Sequence, residues 1–122
     1  MAMPPDREII LPGAFLQAVR QGEVERIAGW LSGGYDKINY QEAGTGLTAL
    51  HYAAARNALP IVRLLVATGK CNMNLREAQG RTAARLAVEV ADNPVLGRYL
   101  YELQYRDIPE RQPDEDDLQR AR

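Results

Sequence analysis

Residues 46–69 read GLTALHYAAARNALPIVRLLVATG, and this stretch constrains the fold more than any other part of the chain. Leu50, Ala53 and Ala54 recur at the i, i+3, i+4 spacing of one helical face, and the two alanines allow a neighbouring helix to approach closely. Ile61, Val62, Leu64 and Leu65 form a wider apolar stripe, which suits a helix gripped on two sides. Pro60 stands where a helix begins, at a position that tolerates its missing N–H. Gly69 stands where a helix ends and can adopt the left-handed conformation of a C-terminal cap. Two short helices, back to back, are the implied unit.

Such a unit cannot bury its apolar faces alone, so copies of it should lie one period away. Stepping back 35 residues carries Ala53 to Ala18, Ala54 to Val19, Val62 to Ile27, Leu65 to Trp30, Gly69 to Gly34 and Asn74 to Asn39. Stepping forward 34 carries Gly46 to Gly80, Thr48 to Thr82, Ala53 to Ala87, Ile61 to Val95 and Val62 to Leu96, with Leu65 and Val66 falling on Tyr99 and Leu100. Three copies are therefore expected, near 12–45, 46–79 and 80–106, the outer two worn as terminal caps. In the first, Phe15, Leu16 and Val19 precede Val24, Ile27, Trp30 and Leu31, and Gly33-Gly34 closes the pair. In the third, helices over Thr82–Val90 and Pro94–Tyr105 are expected, with Asn93 as N-cap of the second. The connections Tyr35–Thr45 and Lys70–Gln79 lie between the pairs.

The central copy resembles the ankyrin repeat family, whose unit runs Gly-x-Thr-Pro-Leu-His-x-Ala-Ala, a turn, Ile-Val-x-Leu-Leu and a closing Gly. The matching residues are Gly46, Thr48, Leu50, His51, Ala53, Ala54, Ile61, Val62, Leu64, Leu65 and Gly69. Ala49 departs from the family's Pro, and Asn57-Ala58 departs from its Gly-His. The resemblance implies an all-α solenoid of stacked helix-turn-helix pairs that binds another protein through a concave face of loop tips and first helices. It also implies that the connections Tyr35–Thr45 and Lys70–Gln79 project as long turns or hairpins, each irregular through an extra residue between its Gly and Asn. The family's variable contact positions fall on Arg20, Gln21, Tyr40 and Gln41, then Thr45, Leu47, Ala55 and Arg56, then Gln79, Arg81, Glu89 and Val90. Among them Tyr40, Arg56 and Arg81 would form a patch suited to an acidic partner. His51 occupies the family's Thr-x-x-His slot, where it and Thr48 knit a turn to a helix start. The third copy has Arg85 there, so its helix pair is expected to be the least stable.

The remaining features exclude more than they assign. His51 is the sole histidine, and no nucleophile or carboxylate motif accompanies it, so no catalytic residue, cofactor or metal site is expected. Cys71 is the sole cysteine, which rules out an internal disulfide. We expect an incidental loop thiol in a reducing, cytoplasmic compartment. Trp30 sits in a leucine slot and is expected to pack rather than bind. A formal charge of -1 and the lack of a basic run argue against nucleic acid. The apolar run Ile9-Ile10-Leu11 is too short for a membrane span. Residues 1–106 are expected to form one monomeric repeat domain, followed by an acidic, flexible tail over 107–122. That tail carries six acids, Asp107, Glu110, Asp114, Glu115, Asp116 and Asp117, against three arginines. It supports an alternative function, a regulatory or inhibitory arm for a basic groove of a partner. On the last helix Leu96, Leu100 and Leu103 continue the core stripe, while Tyr101 and Tyr105 stand together on another side.

Overall fold

Three left-handed turn residues set the architecture. Gly22 (φ 72°), Asn57 (φ 56°) and Asp92 (φ 54°) fall at equal intervals of 35 residues. Glycine adopts this conformation without strain, and Asn and Asp are the side chains that best tolerate it. At each turn the backbone folds back on the helix just ended: Glu23 N–H bonds to Ala18 O at 3.0 Å, Ala58 N–H to Ala53 O at 2.8 Å and Asn93 N–H to Ala87 O at 2.8 Å. Each turn thereby returns the chain antiparallel along its own helix.

The computed structural model describes residues 9–106. They form helices α1 (Pro12–Gln21), α2 (Val24–Ser32), α3 (Ala49–Ala55), α4 (Leu59–Ala67), α5 (Ala83–Glu89) and α6 (Pro94–Arg106). No strand occurs among the described residues, so the connections over 33–48 and 68–82 are turns and not paired hairpins. The first helices α1, α3 and α5 pack side by side in one row, and α2 packs beside α4 in a second. α6 packs chiefly on α5. The core is continuous through the row, from Phe15, Val19 and Ile27 through Leu50, Ile61 and Leu65 to Leu96 and Leu100. Alanines 49, 53, 54, 83, 84 and 87 are all buried, so α3 and α5 are held near backbone contact.

The caps at Pro60, Gly69 and Asn93 follow the sequence: Pro60 lies in the first turn of α4, and Asn93 Oδ1 accepts Leu96 N–H at 3.0 Å at the start of α6. The structure adds Pro12, which opens α1. Gly69 has φ 70°. Asn39 and Asn74, one period apart, each brace the following copy: their Nδ2 atoms donate to Lys70 O (2.9 Å) and Gln104 O (3.4 Å).

The two ends of the stack differ. At the first, Phe15 stacks on Tyr35 with centroids 4.5 Å apart and meets Trp30 at 6.0 Å, so Trp30 packs as expected. Burial pushes the Tyr35 hydroxyl up to about 12, with Asp36 adding to it. At the other end Val88, Tyr101 and Tyr105 remain exposed, and Tyr101 and Tyr105 join hydroxyls at 2.8 Å. Cys71 corrects the reading of a loop thiol: it lies in a connection but is 6% exposed and belongs to the core. The acidic tail over 107–122 and the regulatory reading attached to it lie outside the described residues.

Candidate functional site

Each connection ends in a tight turn that leads into a first helix. In one, Glu42 N–H bonds to Leu47 O (2.9 Å) and Gly46 N–H to Glu42 O (2.8 Å). In the next, Glu77 N–H bonds to Arg81 O (3.0 Å) and Gly80 N–H to Glu77 O (2.8 Å). The same bonds close Glu42-Ala-Gly-Thr-Gly46 and the shorter Glu77-Ala-Gln-Gly80, so a one-residue insertion is absorbed at the tip.

The two tips are tied together. Ala78 N–H donates to Thr45 O at 2.8 Å. Gln41 Nε2 donates to Gly46 O at 3.1 Å within its own loop and to Arg76 O at 2.9 Å in the next. The approach is close enough that a Cβ on Gly46 would lie 3.0 Å from Ala78 N, and Gly46 also has φ 71°. Glycine is the residue both conditions select.

A glutamate organises each tip. Glu42 Oε1 accepts the hydroxyls of Tyr52 and Thr45, each at 2.7 Å, and its Oε2 meets Arg20 Nη1 at 3.4 Å. Those two hydroxyl bonds, with Arg20, hold the Glu42 carboxyl below the usual range. Arg20 also lies over the Tyr52 ring at 5.3 Å. Glu77 is buried, and its Oε1 accepts the backbone N–H groups of Gln79 (2.8 Å) and Arg81 (2.9 Å). Its Oε2 takes Arg81 Nη2 at 3.2 Å, and the Arg81 side chain and backbone bonds lower its pKa. Arg81 Nη1 reaches Glu89 at 3.8 Å, and Glu89 also holds Arg85.

His51 locks the second copy to the third. Thr48 N–H donates to His51 Nδ1 (3.2 Å) while His51 N–H donates to Thr48 Oγ1 (3.3 Å), a reciprocal cap of α3. Because Nδ1 accepts, Nε2 carries the proton and donates to Arg81 O at 3.0 Å. The ring is 1% exposed, and burial lowers its pKa. At the equivalent start of α5, Thr82 Oγ1 accepts Arg85 N–H, but Arg85 points to Glu89.

The expected contact residues therefore divide. Gln21, Tyr40, Thr45, Arg56, Gln79, Glu89 and Val90 are exposed; Leu47 and Ala55 are half-buried. Gln41 is exposed but spans two loops. Arg20 and Arg81 are half-buried and already hold glutamates, Arg81 having its charge answered by Glu77 and Glu89. Of the three residues expected as a patch, Arg81 lies at a loop tip beside the N-cap of α5, whereas Arg56 is the C-cap of α3, at the end away from the tips. Glu42, Tyr52 and Glu77, which sequence reasoning passed over, complete the framework. Among the described residues no cluster of metal-ligating side chains occurs, and no helix is long and apolar enough to cross a membrane.

A row of first helices with braced loop tips defines a helical repeat solenoid. A family model described as ankyrin repeats, three copies, matches residues 15–109, so the chain belongs to the ankyrin repeat family. Ankyrin repeats are protein–protein interaction modules, and the family is generally non-enzymatic. Similar relatives include the nuclear factor NF-kappa-B p105 subunits of Gallus gallus and Mus musculus, 42% and 45% identical over 60 residues. In each case the match covers 48% of this chain and only 6% of the relative's length.

Proposed function

We propose that this chain is a non-enzymatic binding module whose partner is another protein, engaged across the loop tips and the solvent sides of α1, α3 and α5. The observation that carries this reading is the bracing of neighbouring tips, by Ala78 N–H to Thr45 O and by Gln41 across both loops. Binding costs less when the surface is ordered beforehand, because little loop entropy is then lost. Gln79 stands exposed at a braced tip and Tyr40 just before one, and Arg56 stands exposed at the far end of α3. Tyr and Arg are side chains enriched where binding energy concentrates.

The partner's surface carries an acidic group for Arg56 within a polar contact of mixed sign, since Arg20 and Arg81 bring their own glutamates. The test is capture of the partner from the native host, followed by titration against Tyr40→Ala/Arg56→Glu. The expected outcome is a loss of affinity of about tenfold or more, which corresponds to about 1.4 kcal/mol, at unchanged thermal stability. Unchanged affinity would refute this face as the contact.

A further inference from the structure

The open end of the stack carries a cleft of about 530 Å³ between α5 and α6. Its floor is apolar, made by Ala84, Val88 and Gly97. Its rim holds three arginines, Arg76, Arg85 and Arg98. Glu89 and Glu102 face the same region, but each engages its arginine through the inner Nε atom. Val88 is 47% and Tyr101 52% exposed. Gln104 also lines the cleft, and its Oε1 is a buried acceptor without a hydrogen-bond partner among the described residues. At the opposite end of the stack Phe15 packs against both Tyr35 and Trp30. Repeat stacks need both ends closed.

From these observations we propose that residues 107–122 of this same chain dock into the α5–α6 cleft, with their carboxylates on Arg76, Arg85 and Arg98 and Ile108 and Leu118 on the apolar floor. Charge complementarity supports the assignment: the segment holds six acids against three arginines, and the rim keeps a net positive charge, three arginines against Glu89 and Glu102. Reach supports it too. The cleft follows α6 from Gln104 back to Pro94, about 15 Å at the helical rise per residue. A chain of this length spans up to about 50 Å when extended, enough to turn at the end of α6 and run back along it. A docked backbone N–H also offers a partner to the Gln104 side chain. The docking is independent of the loop-tip face, since it uses the end of the stack.

Paramagnetic relaxation in the full chain tests it. A nitroxide is attached at Glu115→Cys, with mass spectrometry confirming that the buried Cys71 stays unmodified. The amides of Val88, Gly97 and Tyr101 should lose most of their intensity, while those of Ala18 and Ile27 keep theirs. The loss should vanish in Arg85→Glu/Arg98→Glu, and in about 1 M salt, where screening acts within about 3 Å. Equal intensities at low salt would overturn the proposal, as would broadening that survives the charge reversal. Broadening seen only when spin-labelled chains are mixed with separate isotope-labelled chains would assign the cleft to a second copy and overturn docking within one chain.

Discussion

His51 is the residue whose chemistry gives the fold a pH dependence. Its neutral Nδ1 accepts the Thr48 N–H, and burial lowers its pKa below the ordinary value near 6.5. A group depressed in this way binds its proton more readily when unfolded, so its contribution is intact above about pH 6.5 and is lost as pH falls through the lowered folded value. Urea midpoints should therefore fall between pH 7 and 5 in the parent and stay nearly flat in His51→Gln; a parallel fall in both would locate the effect elsewhere. Glu42 and Glu77, both lowered, add a separate loss only below the carboxylate range near pH 4.5. Thr48→Ala removes the cap acceptor and should cost about 1 kcal/mol in chemical denaturation. The Thr48–His51 slot was readable because its spacing is fixed within one turn. Glu77 was not, since a glutamate in a polar loop looks solvated until the chain brings the Gln79 and Arg81 N–H groups to it.

At the scale of elements, helix ends were the most legible feature, because Pro60, Asn93 and Gly69 mark them chemically. The left-handed roles of Asn57 and Asp92 were hidden by their departure from glycine, though their spacing from Gly22 carries the signal. Packing between helices was less legible still. Gly97 lies inside α6, and a Cβ there would overlap Val88 Cγ2 and sit 3.1 Å from Ala84 O. Gly97→Ala should therefore destabilise by about 1–3 kcal/mol, despite the better helix propensity of alanine, because backbone and Val88 must both give way. Stabilisation on substitution would show that α5 and α6 separate freely. The third pair lacks the histidine bridge, so amides of α5 and α6 should exchange faster than those of α3 and α4. Equal protection would remove the histidine as the source of the difference.

For the whole molecule, a repeat period was enough to give the all-α stack, since each copy must bury its stripe against the next. What the period could not give was the state of charge on the face. Arg20, Arg56 and Arg81 look equivalent in sequence, yet only packing reveals that Arg20 and Arg81 hold Glu42 and Glu77. The central claim is that braced loop tips and first helices form a ready-made surface for another protein. Hydrogen exchange of the chain alone and in complex with its captured partner measures this most directly. The account predicts new protection over 39–47 and 76–81 and at the ends of α1 and α3 that carry Gln21 and Arg56, with little change in α2 and α4. Protection gained mainly in α2 and α4, or confined to 107–122, would contradict it.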